Sequence, residues 1–145
     1  MVRPGFTVIE LIITIAIFAV LAASTFGLAG RLIQKGTFQD VEENILNTLE
    51  EARDRAMKGE QGSAWGVAFE TGSVILYAGN AYALHTAALD RRQTVPAAYS
   101  FSGLREVTFR KLTGKPFTGG TITTRHAEEG MSTITVNEGG GIFRQ

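Results

Sequence analysis

The sequence predicts an α+β protein: a long N-terminal helix, transmembrane in its first half and amphipathic in its second, packed on a C-terminal antiparallel β-sheet head. Three observations predict it. Leu11–Gly30 reads LIITIAIFAVLAASTFGLAG, 20 consecutive residues without a charge. Beyond Lys35, apolar residues recur at steps of three and four within an otherwise charged segment. From about residue 63 the chain becomes rich in Gly, Thr, Val and aromatics, with turn signals between short apolar runs. A length of 145 residues suits one domain of ordinary size plus one extended element.

Composition narrows the function classes. Lys plus Arg is 14 and Asp plus Glu is 14, so the net charge is zero. That excludes a strongly basic nucleic-acid binder and an acidic disordered tail as whole-chain descriptions. With 44% apolar and 19% charged residues, disorder is excluded as well. The chain has no Cys, hence no disulfide framework, thiolate metal site or Cys nucleophile. His85 and His126 are its 2 histidines, few for a zinc site.

The apolar run is long enough to cross a bilayer, since 20 helical residues span roughly 30 Å. Arg3 precedes it and Arg31 and Lys35 follow, so flanking charge sets no orientation. Two other readings compete. A buried helix of a soluble domain can be apolar all round, but a soluble protein of 145 residues rarely devotes its first 30 to one. A secretory signal peptide would use Ala22-Ala23-Ser24 and release a chain starting at Thr25. Its h-region, however, would be unusually long and would contain Glu10, flanked by Phe6-Thr7-Val8-Ile9 and the uncharged run.

A carboxylate at that place disfavours insertion by about 1 kcal/mol or more, depending on depth. Such a residue calls for a partner. Cleavage between Gly5 and Phe6 would create an α-ammonium group at Phe6, one helical turn from Glu10. That group could neutralise Glu10 of its own chain or of a neighbouring copy. Paired charges are tolerable in an apolar bundle and unpaired ones are not. A single pair also sets axial register among similar helices.

Arg3-Pro4-Gly5-Phe6-Thr7-Val8-Ile9-Glu10-Leu11, followed by the apolar helix, resembles the N-terminal signal of type IV pilins and type II secretion pseudopilins. The resemblance covers about the first 30 residues. It implies that a prepilin peptidase cuts after Gly5 and N-methylates Phe6, and that Glu10 is the assembly residue. Pro4 departs from the more usual residues before the Gly, which bears on cleavage efficiency. Gly27 stands near where many pilins have Pro. Gly weakens a helix by about 1 kcal/mol relative to Ala and marks a similar flexible point.

The resemblance divides the chain into a leader, residues 1–5, and a membrane or filament-core half of the helix, 6–30. An amphipathic half, 31–59, and a β-rich head, 60–145, follow. The amphipathic half carries an apolar stripe of Phe38, Val41, Ile45, Leu49, Ala52 and Ala56, with Leu46 and Met57 alongside. Its other face is charged: Asp40, Glu42, Glu43, Glu50, Glu51, Arg53, Asp54, Arg55 and Lys58. Acids lead and bases close, as the helix dipole favours. Gly59 is a stop signal. The predicted helix, Phe6 to Lys58, is about 80 Å long, with Gly27, Gly30 and Gly36 as bending points.

In the head the expected strands are Ala64–Glu70, Ser73–Ala78, Glu106–Leu112, Gly120–Arg125, Thr133–Asn137 and a short Gly141–Arg144. Glu70-Thr71-Gly72-Ser73 and Asn137-Glu138-Gly139-Gly140 read as hairpin connections. Gly79–Gly103 reads as a long surface connection, with Pro96 unsuited to a central strand. The closing hairpin resembles the end of H-type pseudopilin and FimT-like minor pilin heads.

No site chemistry emerges. His126-Ala-Glu128-Glu129 lacks a second His at i+4, and no calcium loop or phosphate loop fits. Ser100, His85 and Asp90 form a triad only by free selection. The sequence therefore predicts neither an enzyme nor any metal or cofactor.

Charge is uneven, however. Arg91, Arg92, Arg105, Arg110, Lys111, Lys115 and Arg125 face a single acid, Glu106, over residues 91–125, whereas residues 37–60 are acidic. A basic head face and an acidic helix face could steer one subunit onto the next, or the basic face could hold DNA phosphates.

The resemblance thus implies a structural subunit, a pilin or pseudopilin, of a type IV pilus or type II secretion pseudopilus, and the closing hairpin favours a minor one. Its partners would be other pilin-like subunits, prepilin peptidase, an assembly ATPase, a membrane platform protein and membrane lipid. It would sit in the cytoplasmic membrane before assembly and in a cell-surface or periplasmic filament afterwards. The alternatives are a DNA-binding minor pilin of an uptake machine and a secreted or membrane-anchored β-domain binding module.

Overall fold

A computed structural model describes residues 7–127 and 130–145; within the helix, side chains are described as far as residue 19 and again from residue 39. The protein is α+β with antiparallel sheets. Its elements are α1 (Val8–Lys58), β1 (Trp65–Glu70), β2 (Ser73–Ala78), β3 (Arg91–Thr94), β4 (Tyr99–Gly103), β5 (Glu106–Phe109), β6 (Gly120–His126), β7 (Gly130–Val136) and β8 (Ile142–Arg144). The chain divides into two compact units, Met1–Thr37 and Phe38–Gln145.

In the first unit helical backbone starts at Val8. Val8, Ile9, Leu11, Ile12, Ile13, Ile15, Ile17 and Phe18 are each more than half exposed. Among the described residues no helix is long and apolar enough to cross a membrane. Most of the uncharged run, with Gly27 and Gly30, lies outside the described side chains, as do Gly36 and Phe38.

In the second unit the helical stripe is buried at Ile45, Leu49, Ala52 and Ala56, with Val41 and Leu46 packed against its edge. Met57 stays on the surface. The helix stops where expected. Gly59 takes the left-handed conformation (φ 65°, ψ 30°), which a residue without Cβ adopts freely. The Gly59 and Leu112 amides both donate to the Ala56 carbonyl, at 3.0 and 2.8 Å.

Glu42 departs from its expected place on the charged face. It is 3% exposed, because the buried face is wider than a strict stripe and Arg144 of β8 reaches its Oε2 at 3.3 Å. Thr48 is buried too, its hydroxyl satisfied by the Asn44 carbonyl at 2.7 Å.

Among the described residues the head holds two four-stranded sheets rather than the single sheet expected, in the orders β3-β2-β1-β5 and β4-β6-β7-β8. The six expected strands all form, within a few residues of their expected ends. The two additions, β3 and β4, both fall inside the segment Gly79–Gly103 that reads as a connection. Each is a sheet edge, and Pro96 lies between them. The stripe of α1 and one face of each sheet meet in one core, which includes Trp65, Val67, Leu76, Phe109, Ile122 and Ile134. The β1–β2 hairpin turns at Thr71-Gly72, and the β7–β8 loop is closed by Asn137, whose Oδ1 accepts from Gly141 N at 2.7 Å.

The opposite face of β1 and β2 is also buried, through Ala68, Ile75 and Tyr77, with Tyr82 packed over them. Burial on both faces explains why these strands read as continuous apolar runs. The Tyr77 ring fits only because residue 66 is Gly. A Cβ there would lie 2.6 Å from the ring and 2.8 Å from the Val107 carbonyl. We expect Gly66→Ala to destabilise the head by about 1–3 kcal/mol. The check is a lowered thermal midpoint of the full chain in detergent; an unchanged midpoint would mean that Tyr77 relocates at no cost.

Candidate functional site

The signal residues singled out by the sequence, Gly5, Phe6 and Glu10, stand close together in the chain. Gly5 and Phe6 lie outside the described residues. Glu10 is described, in the first helical turn. Its Oε2 accepts from the Thr7 amide at 3.4 Å and the Thr7 hydroxyl at 3.3 Å. The Thr7 hydroxyl oxygen in turn accepts from the Glu10 amide at 3.4 Å. This reciprocal arrangement is a capping box.

Sequence reasoning missed this contact, although Thr-x-x-Glu ahead of an apolar run is its local signature. The physical consequence is specific. Glu10 sits where the helix dipole favours an anion, so in the uncut chain it is less costly than a carboxylate further along the helix. The Thr14 hydroxyl is likewise satisfied within the helix, at the Glu10 carbonyl, 2.7 Å away.

The head carries a second polar cluster, on the outer face of β1, β2 and β5. The Tyr77 hydroxyl is hydrogen-bonded to the Thr108 hydroxyl and donates to Glu106 Oε2 at 3.2 Å. The same Glu106 oxygen accepts from the Tyr82 amide at 2.7 Å. Tyr82 stacks on the His85 ring with centroids 4.6 Å apart, and His85 Nε2 lies 2.9 Å from Asp90 Oδ2. The chain of contacts fastens the 79–90 segment onto the sheet. His85 and Asp90 thus meet, but Ser100, on β4, has no side-chain hydrogen bond to either among the described residues.

Burial, together with the Glu106 charge, pushes the Tyr77 hydroxyl well above its ordinary pKa of 10.0, against a smaller opposing effect of the Thr108 hydrogen bond. A raised folded value means that this stabilisation is complete below pH ~10 and is lost as pH rises beyond it. In an alkaline titration followed by phenolate absorbance, we expect Tyr77 to resist ionisation until the head unfolds. Tyr77→Phe should remove that resistant step; its persistence would place it elsewhere.

The seven bases do not share one surface. Arg91 pairs with Glu51 of α1, through Nη1 at 2.9 Å and through its second nitrogen. Arg92 pairs with Glu70 at 3.1 Å and donates to Ser73 Oγ at 2.8 Å. Neighbours on a strand project to opposite faces, which separates these two. Arg105 lines a cleft with Glu106, Tyr82 and Phe101. Arg125 lies on β6, opposite Ser100. Arg110, Lys111 and Lys115 belong to one loop, closed by a bond from the Arg110 amide to the Lys115 carbonyl at 2.8 Å. The Arg110 guanidinium lies 4.8 Å from the Phe117 ring centroid.

His126 packs against the Tyr99 ring at 4.7 Å, and Glu128 and Glu129 lie outside the described residues. Among the described residues there is no cluster of three or more metal-ligating side chains.

Comparison with curated proteins gives no match, and comparison with solved structures gives none either. A family model does match, the prokaryotic N-terminal methylation motif, over residues 2–26. Families bearing this motif supply structural subunits rather than enzymes. The matched span contains Gly5, Phe6, the Thr7–Glu10 capping box and the beginning of the exposed apolar helix. This chain therefore carries the signature of type IV pilin-like and pseudopilin precursors.

Proposed function

We propose that the protein is a structural subunit, a pilin or pseudopilin, of a type IV pilus or type II secretion pseudopilus. It is cut after Gly5, N-methylated at Phe6 and assembled through its apolar helix, with Glu10 pairing to a Phe6 ammonium group. Before assembly the helix spans the cytoplasmic membrane; afterwards it lies in the core of a cell-surface or periplasmic filament. Prepilin peptidase, a platform protein and an assembly ATPase act on it in turn.

The observation that carries this reading is the exposed apolar surface of Val8–Phe18, interrupted only by Glu10 among charged residues. Such a surface requires lipid or neighbouring helices. Burying a Leu, Ile or Phe is worth about 1.5–3 kcal/mol relative to water. Lipid already supplies that gain, so extraction depends on neighbouring helices replacing lipid and on work done by the assembly machine. The DNA-uptake reading is weaker, because Arg91 and Arg92 are already neutralised by Glu51 and Glu70.

The test is the sheared surface or periplasmic filament fraction of the native host, probed for this chain. The proposal predicts its presence there, dependent on the host's prepilin peptidase. A chain found only in membranes or as a free secreted protein, with that peptidase active, would refute it.

A further inference from the structure

Two exposed surfaces of the head unit are opposite in charge and make no ion pairs among the described residues. Asp40, Glu43, Asn47, Glu50 and Asp54 follow one another at steps of three and four, so they form one stripe along α1. All five are exposed, and the four carboxylates make no ion pair among the described residues, whereas Glu42 and Glu51 do.

The second surface is the loop after β5. Arg110, Lys111 and Lys115 are exposed and also lack ion pairs among the described residues. Between them stands Leu112, 68% exposed and with φ 66°, a backbone region that favours Gly. Its amide is tied to the Ala56 carbonyl at 2.8 Å. The loop is thereby fixed to the end of the helix, and an apolar tip is held among three cations.

We propose that the basic loop 110–115 of one copy docks on the acidic α1 stripe of a second copy. The choice of a second copy rests on the filament-subunit reading and on charge complementarity. The two surfaces are different parts of the same chain, so the contact is heterologous. Each copy offers a loop and a stripe, and a heterologous contact that does not close on itself propagates as a filament. Arg91 and Arg92 take no part, being held by Glu51 and Glu70.

The chain has no Cys, so introduced thiols report alone. Two differently tagged full-length copies, one Asp54→Cys and one Lys111→Cys, are co-expressed in the native host and treated with a short thiol cross-linker. A mixed dimer is expected, and at least about tenfold less from Asp54→Cys with Ser102→Cys on the partner. Adding Glu43→Lys and Glu50→Lys to the Asp54→Cys copy should remove the cross-link. Adding Arg110→Glu and Lys115→Glu to the Lys111→Cys copy as well should restore it. Leu112→Gly suits the local backbone, so it should keep the thermal midpoint while weakening the cross-link.

Equal yields from the two cysteine pairings, or insensitivity to charge reversal, would overturn the proposal. Filaments without the cross-link would refute this contact alone. A cross-link without filaments would instead refute the filament-subunit reading.

Discussion

Glu10→Ala should leave the chain inserted in the membrane and cut after Gly5, yet reduce filament yield at least about tenfold, equivalent to roughly 1.4 kcal/mol or more. Insertion itself should improve slightly, because a carboxylate is removed from an apolar helix. Two roles of Glu10 must be separated. In the uncut chain its carboxylate closes a capping box with Thr7. Loss of such a cap costs about 1 kcal/mol of helix stability at the first turn. In a filament its charge would face the Phe6 ammonium. Glu10→Gln distinguishes them, since Gln also serves in a capping box but carries no charge. We expect Glu10→Gln to fail in assembly almost as fully as Glu10→Ala. Normal filament yield from Glu10→Gln would leave the cap as the whole role of this residue and remove the charge-pair argument.

Gly5→Val should abolish both processing and filaments. The uncut chain has no ammonium at Phe6, so a buried Glu10 in the bundle would have no counter-charge. Breaking a buried pair in this way costs about 3–5 kcal/mol, enough to exclude the subunit from a core of packed helices. The check is the mass of the membrane-bound chain together with filament yield. A Gly5→Val chain that remains full length but still assembles would show that cleavage is dispensable.

The sequence made local features legible and long-range ones obscure. The Thr71-Gly72 turn, the Gly59 stop and the buried positions Ile45, Leu49, Ala52 and Ala56 rest on neighbours in the chain, and each is found where expected. The edge strands β3 and β4 are different. Arg91–Thr94 is a polar segment whose extended form comes from pairing with β2, and Tyr99–Gly103 takes its form from β6. Neither segment alternates clearly enough to announce itself. Burial of Glu42 depends on Arg144, 102 residues away, which no local pattern encodes. At the N-terminus the signature was legible in full, because it is written in consecutive residues. The Thr7–Glu10 box is equally local, but it forms in the uncut chain, whereas a charge pair with the Phe6 ammonium would form only after cleavage.

Sequencing of the mature N-terminus by mass spectrometry, on chain purified from the native host, tests the central claim most directly. The account predicts a polypeptide that begins at Phe6 with one added methyl group on its amine. A chain that still begins at Met1, or one that begins at Thr25 after ordinary signal-peptide removal, would contradict it.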